Sequence, residues 1–305
     1  MAQTYTYQDE ARREDLLDII TNLSPRETQL LSGLGQSTAK DVLHQWLTDT
    51  LKDVATNAYV EGVDATFVDR SDPSRLYNMT QIIRVGYEVT DTERAVTSAG
   101  FNDRYAYEAQ KALKEWSNDA EYALMRSSLG CGATNVARRM DGIKQFMKKA
   151  TSANYTDCSG VSLSETLLNN YFQDVWDDGT EVNAVYVPMF LKRRISGFTA
   201  GATKNVDLAD KRLVLSVDVY EADAAKLVKL FAHRYVTVTG TDYGHKDTAG
   251  DVIGLDEDKW KVAFLRKPFT RELSKTGDAT KGEVVGELTL ECLHRNAGFW
   301  GAMHI

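Results

Sequence analysis

The residues of this chain that could do chemistry are few and scattered. Its five histidines are His44, His233, His245, His294 and His304, and none stands at metal-ligand spacing from another histidine or from a cysteine. Cys131, Cys158 and Cys292 are odd in number, far apart and without a C-x-x-C pair. They read as small reduced hydrophobes, not as redox or metal ligands. Asp177-Asp178 and Asp256-Glu257-Asp258 could chelate a cation, but acidic residues in such settings are turn or helix-end residues first. His44, two residues before Trp46, reads as a packed, hydrogen-bonded histidine.

No catalytic motif joins these residues. There is no G-x-S-x-G elbow, no H-E-x-x-H and no phosphate loop ending in Gly-Lys-Ser/Thr. Gly33-Leu34-Gly35 lacks the third glycine and the preceding strand of a dinucleotide fingerprint, and Gly130-Cys131-Gly132 reads as a helix stop. The expectation is therefore no catalytic residue, no cofactor site and no metal site. Triads assemble from residues distant in sequence, so a soluble α+β hydrolase stays open as an alternative.

The elements that would position any site follow from periodicity. Leu16, Leu17, Ile19, Ile20 and Leu23 share one helical face, and Ser24-Pro25-Arg26-Glu27 reads as a fresh helix start with a capping box, stopped by Gly33 and Gly35. From Asp41 to Thr50, Val42, His44, Trp46 and Thr48 alternate as one side of a strand. A second alternating run, Tyr77 to Val89, places Tyr77, Met79, Ile83, Val85, Tyr87 and Val89 on one face, interrupted by Gln81. Between the runs, Lys52 to Arg75 reads as polar and irregular, and so long an excursion predicts a projecting, functional loop. Asp103 to Met125 is the strongest helix, roughly 35 Å at 1.5 Å per residue. Ser162 to Glu165 reads as the capping box of a helix through Asp177. A buried strand over Val182 to Val187 leads through Pro188 into a helix to Arg194. Strands follow at Arg212 to Tyr220, Leu227 to Val238, Trp260 to Leu265 and Val284 to Leu293, the last with Glu287 and Glu291 opposite its apolar side. Helices early and strands late give a mixed α+β class.

Composition sets the outer bounds. The chain has 305 residues, 43% hydrophobic and 26% charged, a globular balance large enough for a substantial core. With only four prolines and no Pro-, Gly- or Ser-rich linker, any domains are expected to be interwoven. No apolar run approaches the roughly 18 residues of a membrane span, and MAQTYTYQDEARRED has no apolar signal region, so a cytoplasmic setting is expected. A net charge of −8 argues against tight phosphate binding, while allowing the protein to lie beside DNA without gripping it.

Several segments, in order, resemble one family: EDLLDIITNLSPRET (Glu14 to Thr28), HQWLTDTL (His44 to Leu51), EGVDA (Glu61 to Ala65), NMTQI (Asn78 to Ile82) and VTDTERAVTSAG (Val89 to Gly100). They continue with YEAQKALKEWSNDAEYAL (Tyr107 to Leu124), RRMDGI from Arg138, KRRISGF from Lys192, RELSKTGDATKGEVVGELTLE (Arg271 to Glu291) and Asn296-Ala297-Gly298. Over nearly its whole length the chain resembles the tailed-phage major head proteins of the SU-ten type, which carry the Hong Kong 97 capsid fold. The resemblance implies an N-terminal arm (1–40), an extended-loop region with two long strands (41–100) and a peripheral domain with a spine helix (101–160). It further implies an axial domain (161–234), then return strands of the peripheral domain with the C-terminal segment (235–305).

The function so implied is assembly. Copies form pentamers and hexamers that close an icosahedral or prolate head around double-stranded DNA, which lies alongside by non-specific proximity. The protein belongs in the virion capsid, put together in the bacterial host cytoplasm, with no membrane involved. A separate scaffolding protein and a portal are the expected partners, because this chain has only about forty residues before the loop region; a decoration protein is compatible. Trp46 is the candidate anchor between subunits, and the strip Tyr77, Met79, Ile83, Val85 and Tyr87 the candidate overlap surface; packing on the chain's own core is the equal alternative for both. Ala58 to Ser74 contains no lysine, so the Lys–Asn isopeptide weld of some relatives is not expected at the loop tip. A cargo-enclosing nanocompartment shell of the same fold is the runner-up.

Overall fold

The computed structural model describes residues 28–52, 54–65, 67, 70, 72–96, 103–149, 154–198, 219–222, 225–236, 238–239, 242–243, 250–275 and 277–304. The first expected helix, the capping box at Ser24 and the strand residues 212–218 lie outside them. The chain is woven: one unit draws on 84–116 and 269–285, the other on 28–83, 117–268 and 286–305.

The second unit opens with α1 (Gln29–Gly33), β1 (Gly35–Thr38) and β2 (Leu43–Thr48). β2 pairs antiparallel with β3 (Ser74–Met79) in the register Leu43↔Met79 to Thr48↔Ser74, leaving 49–73 as a loop between them. β4 (Gln81–Thr90) follows after the single residue Thr80. The two alternating runs thus become three strands, because Thr80 breaks the second run. In β3 the buried residues are Leu76 and Asn78; in β4 they are the odd-numbered Ile83 and Val89. One residue outside the ladder reverses which parity faces inward, and the expected single strip from Tyr77 to Tyr87 is divided there.

α2 (Asp91–Ala95) and the long α3 (Arg104–Arg126) come next. The apolar stripe Ala112, Trp116, Ala120, Ala123 and Leu124 of α3 is buried, as its three- and four-residue spacing requires. α3 does not stop at the glycines: it ends at Arg126, and 130–139 form a short ribbon with bridges Gly130↔Arg139 and Ala133↔Val136. Past α4 (Ile143–Lys148) and β5 (Tyr155–Asp157) stands α5 (Glu165–Asp177). Its cap is Ser164, whose hydroxyl accepts the Leu167 N–H at 3.3 Å, and not Ser162. The remaining elements are β6 (Ala184–Val187), α6 (Met189–Ser196), β7 (Val219–Ala222), β8 (Ala225–Ala232), β9 (Val238–Thr239), β10 (Asp242–Tyr243), β11 (Gly250–Leu255), β12 (Trp260–Leu273), β13 (Ala279–Cys292) and β14 (Gly298–His304).

Two larger sheets hold ten of the described strands, beside the β2–β3 hairpin and the two-stranded β9–β10 ladder. A mixed sheet runs β5-β14-β11-β6-β8-β7, with β6 parallel to β8 and antiparallel to β11. β6 is buried throughout, as a continuous apolar run at the centre of a covered sheet should be. Tyr171, Phe172 and Val175 of α5 and Leu191 and Ile195 of α6 pack with Val185, Val228, Val252 and Phe299 in one core. Gly254 leaves room for the Phe299 ring, which a Cβ would approach to 2.2 Å. The other sheet runs β1-β12-β13-β4. β13 departs from the simple alternation expected of it, since Glu283, Glu287 and Glu291 are buried as well as Leu288 and Leu290.

In the unit of 84–116 and 269–285, Thr90 caps α2 by accepting the Glu93 N–H at 3.3 Å. Asp91 accepts from Lys275 Nζ at 2.8 Å and Thr280 Oγ1 at 3.0 Å. Those contacts hold its carboxyl below the usual range. Glu283 takes Arg271 Nε at 2.6 Å. Tyr87 and Tyr105 pack with ring centroids 5.2 Å apart, and burial, then the Tyr105 hydroxyl, push the Tyr87 phenol upward.

Candidate assembly surface

The hairpin β2–β3 has two chemically different faces. Trp46 pairs with Leu76 and His44 with Asn78 on the inner one. There the Trp46 indole N–H donates to the Cys292 carbonyl at 2.7 Å, and its ring lies 6.3 Å from that of Phe146. His44 faces Glu291 at 3.4 Å, and Ser37 Oγ donates to the same carboxylate at 2.7 Å. Asn78 uses its whole amide: Nδ2 donates to Asp141 O and Leu290 O, and Oδ1 accepts from Asp141 N and Met79 N. A strand so committed on one side holds the hairpin rigidly.

The outer face carries Leu43, Leu47 and Tyr77, the last 52% exposed. The loop 49–73 continues it. Leu51 and Phe67 are each 97% exposed, and Val54, Tyr59, Val60 and Val63 are exposed beside them. The polar loop expected from sequence thus carries exposed apolar residues, and these follow neither the 2.0 nor the 3.6 period that marks a strand or helix face. Large side chains left in water on one segment mark an interaction surface.

Of the residues singled out from sequence, Tyr77 lies on this outward surface and Met79 is half-buried beside it. Trp46 is half-buried inward, Ile83 is buried, and Val85 and Tyr87 are half-buried on the inward parity of β4.

Behind the hairpin, the strand β13 is fixed by charge. Glu287 accepts from Thr80 Oγ1 at 2.7 Å, Arg138 Nη2 at 2.8 Å and Arg266 Nε at 3.2 Å. Removal of this buried carboxylate would leave the buried Thr80 hydroxyl without its acceptor and release two part-exposed guanidinium groups to solvent.

The nearest approach to a reactive cluster is Cys158, Tyr171 and His304. Tyr171 Oη lies 2.9 Å from Cys158 Sγ and 3.1 Å from His304 Nε2. All three are buried in the apolar core. Burial raises the tyrosine and lowers the histidine, so each keeps its neutral form. This is a polar contact among buried side chains within the packing. Among the described residues no group of His, Cys, Asp and Glu could hold a metal ion, all three cysteines are free, and no helix is long and apolar enough to cross a membrane.

Known proteins are similar to this chain in sequence or fold. The major capsid protein of Escherichia phage Phieco32 is 29% identical, over 95% of this chain and 93% of its own. A capsid chain of the native GTA particle superposes with a TM-score of 0.67 at 9% identity, covering 100% of both chains. An encapsulin from Synechococcus elongatus PCC 7942 gives 0.60 at 9% identity, over 99% of this chain and 96% of that one. At such identities the structural likeness speaks for fold alone, here the α+β Hong Kong 97-type capsid fold. The sequence pattern of the SU10 major capsid protein family matches residues 1–302, and this chain belongs to that family.

Proposed function

We propose that this phage major capsid protein builds its shell by laying the loop 49–73 and the outer face of β2–β3 over a neighbouring copy. The observation that carries this reading is the set of apolar side chains Leu51, Val54, Tyr59, Val60, Val63 and Phe67, each mostly exposed within its own chain. Obligate interfaces bury such residues at their centre. Within it, Tyr77 with Leu43 and Leu47 forms the contact strip, while Trp46, Ile83, Val85 and Tyr87 hold the hairpin and β4 in place. The arm (1–40), extended-loop region (41–100), peripheral domain (101–160 and 235–305) and axial domain (161–234) are the divisions this reading assigns, and it assigns no catalytic step.

The copies form pentamers and hexamers in the host cytoplasm and enclose double-stranded DNA. A net charge of −8 favours a wall that does not grip the genome. A separate scaffolding protein and a portal complete the assembly, and a decoration protein on the outside is compatible with it. The likeness to an encapsulin supports a cargo compartment as the second reading; the family match favours the phage head.

The test is light scattering with negative-stain electron microscopy on the purified chain, alone and with a candidate scaffold from the same genome. Closed shells or rings support the reading. A chain that stays monomeric under both conditions overturns it, and shells formed by the chain alone remove the scaffold from it.

A further inference from the structure

Beyond the loop, the unit holding the mixed sheet presents two outward helix faces of opposite character. On α5, Trp176 is 56% exposed, with exposed Gln173 and Asp177 on the same side. On α6, Met189 is 60% exposed, with exposed Arg193 one turn further on. Each face therefore offers one large apolar side chain and one charge, and the charges are opposite.

The acidic face is unfavourable in an isolated chain. Asp174, Asp177 and Asp178 crowd the last turn of α5 and the residue after it, where the helix dipole is negative and no basic residue stands. Burial and the neighbouring Asp177 and Asp178 carboxylates push Asp174 upward. A cation from outside the chain would relieve this.

The two faces also look out from different places. α5 packs beside β14 and α6 beside β8, and β11 and β6 lie between those strands in the sheet. Three strand spacings, roughly 14 Å, separate β14 from β8. Two different, complementary patches on one subunit make a head-to-tail contact, the kind that closes rings.

We infer that in the assembled ring α5 of one copy packs against α6 of the next, Trp176 and Asp177 meeting Met189 and Arg193. Sulfur–aromatic and cation–π contacts with the indole accompany the Asp–Arg pair, and an aromatic anchor of this type commonly dominates an interface. The inference rests on the shell reading above.

Charge exchange tests it. Asp177→Arg and Arg193→Asp, each alone, should lower assembly, requiring about tenfold more protein than wild type. Both substitutions in one chain should restore assembly, because the pair is only reversed. A mixture of the two single variants should assemble into even-membered rings but not odd-membered ones, since the copies must alternate. The unassembled Asp177→Arg chain should hold or slightly raise its unfolding midpoint and the Arg193→Asp chain hold or slightly lower it, since each exposed side chain stands in the last turn of its helix. Single variants that assemble normally overturn the inference, as does failure of both the double variant and the mixture to recover. A wild-type chain that never assembles, with or without scaffold, overturns the shell reading and the pairing with it.

Discussion

The Glu121 carboxylate of α3 faces His233 Nε2 at 2.8 Å, with both side chains sealed from solvent. His233 Nδ1 accepts the Tyr235 N–H at 3.2 Å, which places the ring proton on Nε2 and directs it at the carboxylate. The same carboxylate accepts the Leu30 and Leu31 N–H groups at 2.7 and 2.9 Å. These are first-turn donors of α1, which have no partner within their own helix. One side chain thus ties α1 and the segment after β8 to the long helix.

Replacing Glu121 with alanine leaves two buried donors and one part-buried donor unpaired and should lower the unfolding free energy by about 3–5 kcal/mol. Glutamine keeps one acceptor oxygen and should cost about 1–3 kcal/mol. Urea unfolding of the unassembled chain checks both, and equal stability of the alanine variant would remove the anchoring role.

The loop should behave in the opposite way. Leu51→Ser with Phe67→Ser touches no packed residue, so the unassembled chain should keep its stability to within about 0.5 kcal/mol. Assembly should need roughly tenfold more protein or fail. Loss of stability without loss of assembly would assign the loop to the chain's own packing instead.

Lys144 sets a pH dependence. Its ammonium contacts Asp251 and the Val236 carbonyl inside the protein. Burial pulls it down to about 8 from 10.5, against the attraction of Asp251. Between those values the unfolded chain holds a proton that the folded chain has released, so stability rises with pH across the window. From about pH 8 to about pH 10 the gain attributable to this group is about 2 kcal/mol. Urea unfolding of wild type against a Lys144→Met, Asp251→Asn variant isolates it; parallel pH profiles would exclude it.

Mature shells should run as single chains on denaturing gels. Ala58 to Ser74 contains no lysine, so the loop tip has no amine for an isopeptide bond to a neighbour. A ladder of covalent multimers, or intact masses at multiples of the chain, would contradict this.

Read from sequence alone, the chain determined its class, its long helix and its alternating strand runs. Ala112, Trp116, Ala120 and Ala123 recur at helical spacing, and His44, Trp46 and Thr48 alternate, and such local periodicity survives in any context. It also determined the family, because ordered strings along the whole chain carry that information without coordinates. Only the tertiary structure decided which parity of each strand faces inward. Thr80 reverses that parity between β3 and β4, and a single-residue break leaves no periodic signature. The burial of Glu283, Glu287 and Glu291 was equally invisible. Their partners include Arg271, Arg138 and Ser37, and two of these three are remote in sequence. Only coordinates show that Leu51 and Phe67 are uncovered, since exposure depends on what the rest of the chain fails to bring near them.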